Sequence, residues 1–241
     1  MSCSSHSSTP SSSPLAPVVT GLLELLAPSR CLACRVRAAP VWCRRCESAV
    51  TRLAPGCSRC AGPRGPGHPC WPDPAPVAGT IAVFDYRGPV AAAVVSAKVA
   101  GARAGWGPLA TLLAQRVATT PPPIDVVTWV TTPPARRRSR GFDHARLLAA
   151  EVAVALDAPL VATVEARAVR EGHDRFRACR ALPATDVLLV DDVLTTGRTA
   201  ARVAAVLQRA GAGAVHLAVL ARAGSHALVG PELTRVGRPS P

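Results

Sequence analysis

The stretch Val187-Leu188-Leu189-Val190-Asp191-Asp192-Val193-Leu194-Thr195-Thr196-Gly197-Arg198-Thr199 constrains this chain more than any other part of it. Four consecutive apolar residues predict a strand buried on both faces, because a half-exposed strand alternates apolar and polar residues. Two carboxylates follow, then a hydroxyl-rich turn with one glycine. The run Thr199–Arg209 then predicts a helix closed by Gly211. A buried strand feeding a turn and a helix is the unit of a parallel α/β sheet, whose ligands bind at the carboxyl ends of its strands. The turn has its own chemistry. Backbone N–H groups of Leu194–Thr199 can curl around a phosphate where the helix dipole favours an anion. Gly197 lets the main chain come close, while Thr195, Thr196 and Thr199 offer hydroxyl donors. Asp191 and Asp192 repel phosphate but suit the vicinal hydroxyls of a ribose, and they can help hold Mg²⁺ through waters. A phosphate cradle beside a diol-binding acidic pair describes a sugar-phosphate site. A Walker B strand also ends in acidic residues, but no G-x-x-x-x-G-K-[ST] occurs in the chain.

The surrounding sequence continues the alternation. A strand is expected at Thr80–Tyr86, a helix at Pro89–Val99 begun by proline, and a second helix at Gly107–Val117. A buried strand is expected at Ile124–Val130, a helix from an Asp143 N-cap to Leu156, and a last strand at Val215–Ala221. These elements predict an α/β domain over 77–228, a parallel sheet with helices on both faces. With 49% hydrophobic but only 3% aromatic residues, its core must rest on Ala, Val and Leu. Residues 1–17 are Ser/Pro-rich and expected to be a disordered tail, with a short amphipathic helix at 18–27 and a second tail at 229–241. No apolar run reaches the roughly 18 residues of a membrane span, and no Lys or Arg precedes Val18–Leu26 as in a secretory signal. The expected localisation is therefore cytoplasmic.

In that compartment cysteines favour metal sites or buried thiols over disulfides. Seven of the nine fall between Cys31 and Cys70, within an expected module and linker over 18–76; Cys3 and Cys179 lack partner spacing. Cys31-x2-Cys34 and Cys43-x2-Cys46 each put two sulfurs on one side of a tight turn, and together they predict a four-cysteine zinc site. A module this small has little core of its own and needs such a staple. Cys57-x2-Cys60 followed by His68 and Cys70 is either a second site, with His68 or Asp73 as fourth ligand, or the remnant of one. Pro69–Pro76, with four prolines, reads as a linker.

Between strand and helix, Thr131–Ala145 carries Arg136, Arg137, Arg138 and Arg140. Arginine forks bond two phosphate oxygens at once and could neutralise a diphosphate; a solvated basic loop is the plain alternative. The net charge of +13 fits a phosphate ligand, a nucleic acid, or merely an arginine-rich composition.

The Val187–Thr199 stretch resembles the phosphoribosyl-diphosphate (PRPP) motif of type I phosphoribosyltransferases, in which two acidic residues precede a short Thr/Gly loop. Arg140-Gly141-Phe142-Asp143-His144-Ala145 narrows the resemblance to ComF-like proteins, competence-associated homologues that carry R-G-F-N-Q-A there; Asp143 and His144 replace the Asn and Gln. Lys98 and Gly101 fit the family's lysine and glycine on the first helix of the domain, and the family begins with a cysteine zinc finger. The resemblance implies catalytic Asp191 and Asp192, PRPP contacts from Val193, Leu194, Thr195, Thr196, Gly197, Arg198 and Thr199, and diphosphate contacts from Lys98 and the arginines. It implies structural zinc, and Mg²⁺ with PRPP. The chain departs from the family at Glu165–Leu182, which is short and lacks an R-x-x-T-x-x-Q pattern where relatives keep a closing loop, although Arg175-Phe176-Arg177-Ala178 resembles the family's later part.

Three functions are compatible with these residues and with what the resemblance implies: transfer of ribosyl 5-phosphate to a nitrogen acceptor in nucleotide or nucleoside metabolism, handling of single-stranded DNA alongside competence or DNA-processing proteins in natural transformation, as the resemblance implies, and sugar-phosphate binding without turnover. The short segment favours the last. Few aromatic residues are available to stack bases.

Overall fold

The computed structural model describes residues 30–37, 41–63, 65, 68, 70–99, 105–167 and 175–224. The expected tails, the 18–27 helix, Cys3 and Gly101 lie outside them. After a short helix α1 (Arg44–Glu47) come β1 (Gly79–Asp85), α2 (Gly88–Val99), α3 (Trp106–Ala118) and β2 (Val126–Trp129). They are followed by α4 (Pro134–Arg140), α5 (His144–Ala155), β3 (Val164–Ala166), β4 (Phe176–Ala178), β5 (Val187–Leu194), α6 (Arg198–Arg209) and β6 (Val215–Arg222). The main sheet runs β1-β6-β5-β2, with every neighbouring pair parallel. β3 and β4 form a separate antiparallel ladder. As expected, this is a parallel α/β sheet flanked by helices. Among the described residues no helix is long and apolar enough to cross a membrane.

Each face of the sheet has its own core. Leu188 and Val190 of β5 join α2, α3 and α5 on one face, while Val187 and Leu189 join α6 and the β3–β4 ladder on the other. This is the period-two consequence of a strand buried on both sides. The cysteine segment shares these cores. Cys31, Leu32, Trp42 and Cys46 are buried on the α2–α3–α5 face, whereas Cys60 and Trp71 are buried on the α6 face. Between them, the chain runs along the outer edge of β1: Leu53 donates its amide to Val83 O at 2.8 Å, and Thr80 donates to Ser58 O at 2.8 Å. An edge strand with open N–H and C=O groups invites unwanted pairing, and this segment covers it. The cysteine segment thus straddles the sheet, with one cluster on each face.

Several local expectations are corrected. The strand expected at Val187–Val190 continues through the acidic pair, because Asp191, Val193 and Leu194 keep their ladder with Val219, Ala221 and Arg222 of β6. The arginine cluster is on a helix rather than a loop, since Pro134 occupies the first helical turn of α4, where its missing N–H costs nothing. Asp143 takes the expected N-cap position of α5, but its carboxylate, rather than bonding the helix, accepts from the Thr132 amide at 3.0 Å and the Thr132 hydroxyl at 3.1 Å. The Pro69–Pro76 stretch, expected as a linker, carries Trp71 into the core at 3% exposure. The indole N–H gives the reason, donating to Thr80 Oγ1, which in turn donates to Arg59 O at 2.7 Å.

Candidate functional site

The acidic pair is on β5 as it leaves the core. Successive side chains of a strand point to opposite faces, and the two aspartates accordingly meet different surroundings. Asp192, 5% exposed, faces the α2–α3–α5 side, where Lys98 Nζ forms an ion pair with Oδ2 and His144 Nε2 lies 3.0 Å from the same oxygen. His144 is stacked on Trp106 with ring centroids 5.1 Å apart. Asp191 is half-buried, and its Oδ1 accepts the Asp192 amide at 2.8 Å.

Electrostatics separates the pair. At Asp192 burial favours the neutral acid, but the hydrogen bond from His144 and the charge of Lys98 outweigh it and hold the carboxyl well below the usual range. At Asp191 burial and then the neighbouring Asp192 charge raise the carboxyl well above it. One carboxylate is therefore firmly ionised while the other resists ionisation until a positive or hydrogen-bond-donating group arrives.

Val193 and Leu194 complete β5, after which Thr195 and Thr196 are exposed in the turn. Gly197 has φ +77°, a conformation only glycine adopts freely, and its carbonyl accepts the Ala201 amide at 2.8 Å to start α6. Arg198 and Thr199 are exposed in the first turn of α6. Arg136, Arg137 and Arg138 are exposed on α4, which follows the neighbouring strand β2; Arg140 ends that helix. Lys98, expected as a diphosphate contact, forms an ion pair with Asp192.

Sequence reasoning missed His144 and Trp71 as site residues. The only signal for His144 was its place in the Gly141-Phe142-Asp143-His144 run. Trp71 gave none: its six-membered ring lies so close to Gly197 that a β-carbon on that glycine would come within 2.3 Å of it. A cavity of about 770 Å³ lies at the carboxyl ends of β1 and β6, lined by Arg52, Asp85, Arg87 and Arg222, and none of Asp191–Thr199 lines it.

The cysteines form two groups. Ligand atoms of Cys31, Cys34, Cys43 and Cys46 lie within 4.8 Å of one another, as do those of Cys57, Cys60, His68 and Cys70. Cys34 and Cys43 Sγ are 3.6 Å apart and Cys57 and Cys70 Sγ 3.9 Å, too long for disulfides. Tetrahedral Zn–S bonds of about 2.3 Å would separate two sulfurs by about 3.8 Å, so the spacing fits zinc. The open choice of fourth ligand falls to His68. Its Nδ1 faces Gly65 O at 3.0 Å, leaving Nε2 turned inward beside Cys57, while Asp73 pairs with Arg59 at 3.6 Å. Burial pushes the Cys46 thiol up to about 12, whereas at Cys31 the backbone donors of Cys34 and Cys43 overcome burial and lower it to about 6. Both groups could hold zinc.

Residues 139–230 match the phosphoribosyl transferase domain family. The glutamine PRPP amidotransferase of B. subtilis complexed with ADP and GMP is 22% identical with a TM-score of 0.37, and the similarity covers 47% of this chain but only 25% of that one. The purine phosphoribosyltransferase of Pyrococcus horikoshii is 18% identical with a TM-score of 0.34, over 56% of this chain and 90% of that one. The DNA utilization protein YhgH of Salmonella typhi is 30% identical over 226 residues, which span 82% of this chain and 99% of the relative. An identity of that extent means that the chain belongs to the ComF family of phosphoribosyltransferase-like proteins.

Proposed function

We propose that the chain binds Mg²⁺–phosphoribosyl diphosphate at the carboxyl end of β5 and transfers its ribosyl 5-phosphate to a nitrogen acceptor, releasing diphosphate. The observation that carries this reading is the acidic pair set directly before the exposed Thr195, Thr196 and Thr199 hydroxyls and the Gly197 turn that opens α6. On this reading Asp191 and Asp192 hold the ribose hydroxyls. The Val193–Thr199 segment wraps the 5-phosphate, while the α4 arginines take the diphosphate. Lys98 and His144 keep Asp192 ionised and oriented. The bond from sugar C1 to the diphosphate oxygen breaks as the acceptor nitrogen bonds to C1, and the nitrogen loses its proton to solvent. The sugar passes through a cationic, oxocarbenium-like state, so fixed negative charge and positioning supply the catalysis. When bound, Mg²⁺ neutralises charge on the diphosphate. We further propose that both cysteine groups hold structural zinc.

Titration calorimetry with phosphoribosyl diphosphate and Mg²⁺ tests the site. Wild type is expected to bind, and an Asp191→Asn/Asp192→Asn variant is expected to lose binding. A folded, zinc-loaded wild type that shows no heat would sink the reading.

The exposed Arg136, Arg137 and Arg138 favour a second use of the same edge, contact with the phosphates of single-stranded DNA during uptake, alongside DNA-processing partners. The name of the Salmonella typhi relative, a DNA utilization protein, supports it. A salt-dependent affinity for oligonucleotides that competes with phosphoribosyl diphosphate is its test.

A further inference from the structure

Trp71 follows Cys70 directly, which places a buried aromatic ring one residue beyond the second cysteine group. That group is fastened on several sides. Cys60 Sγ is 4.0 Å from Arg222 Nη2 at the end of β6, and Arg59 Nη2 donates to Pro72 O at 3.2 Å. The indole is then fixed by its N–H to Thr80 at the edge strand β1. Its ring edge lies over Gly197, the residue whose left-handed conformation turns the chain from β5 into α6 and whose carbonyl starts the helix. The turn is therefore closed on one side by a ring that belongs to the cysteine segment.

We propose that Trp71 is a positioning residue for the phosphate turn, and that the second cysteine group controls that turn through it. The proposal rests on the reading of Val193–Thr199 as a phosphate cradle, but its mechanical half does not need a ligand. A ring against the only face of Gly197 that a side chain would occupy blocks the turn from relaxing toward other conformations. The cradle N–H groups then keep one orientation before any phosphate arrives, so less is lost on ordering them at binding. Loosening Cys57, Cys60, His68 or Cys70 frees the ring and with it the turn.

Native-state hydrogen exchange on the full zinc-loaded chain, without ligand, reads the turn directly. Trp71→Leu is expected to speed exchange of the 195–203 amides, including the bonded Ala201 amide, by about tenfold, since local opening governs such amides. Peptides from β6 and the buried part of β5 should keep wild-type protection. Trp71→Phe, which keeps a flat ring, should recover most of the difference. Cys57→Ser, with zinc counted in the same sample, should reproduce the Trp71→Leu pattern. Affinity for phosphoribosyl diphosphate should weaken by about tenfold in Trp71→Leu, in step with the opening. Unchanged exchange at 195–203 in Trp71→Leu, or an increase shared equally by β5 and β6, would overturn the proposal. A wild-type pattern in Cys57→Ser would overturn control by the cysteine group. A faster turn in a protein whose wild type binds no phosphoribosyl diphosphate would support the positioning role and overturn the ligand reading instead.

Discussion

Asp191 and Asp192 are adjacent in sequence, yet only one of them is matched by cations. Because burial and the Asp192 charge raise Asp191, its ionised form is disfavoured in the fold. A carboxyl raised on folding binds more protons in the native state, so its contribution to stability declines as pH rises above about 4. Asp191→Asn keeps an oxygen to accept the Asp192 amide and removes the uncompensated charge. It is expected to raise the melting midpoint at neutral pH by about 2 °C or more while abolishing ligand binding, read by calorimetry. Asp192 has the opposite sign. Its depressed carboxyl contributes stability that is complete above the unfolded value near 4 and is lost as pH falls toward its folded value. Lys98→Ala should therefore destabilise most at pH 7, and its deficit in denaturant midpoint should narrow below about pH 4. A deficit independent of pH would show that Lys98 acts only through its aliphatic stem.

Among the elements, β5 and α6 were legible in the sequence because Val187–Val190 has no other use for four apolar residues and Gly197 marks the turn. The end of β5 was not legible: two aspartates look like a strand's exit, but ladder pairing to β6 carries them inside the sheet. Helix α4 escaped for a different reason, since four arginines suggest a solvated loop while Pro133-Pro134 in fact starts a helix. His144 and Trp71 act on residues far along the chain, and no local period reports such a meeting. If α4 serves DNA, replacing Arg136, Arg137 and Arg138 together by glutamine should lower the slope of log affinity against log salt by about 2, as three lost phosphate contacts dictate for single strands. An unchanged slope would remove α4 from any nucleic-acid interface.

For the molecule as a whole, metal analysis should find two zinc ions per chain, one on each side of the sheet. Removing them with a strong chelator is expected to lower the melting midpoint by about 10 °C or more, because Cys31, Cys46 and Cys60 belong to the cores. A chelated protein with an unchanged midpoint would show that the thiols alone suffice. The strand order β1-β6-β5-β2 has a consequence of its own for biogenesis. β6, the last of the described strands, is inserted between β1 and β5, pairing with both. While the ribosome is still upstream of Val215, the inner flanks of β1 and β5 both stand open. The seam of this sheet closes only when β6 arrives, so a nascent chain stalled before Val215 exposes two sticky strand edges together.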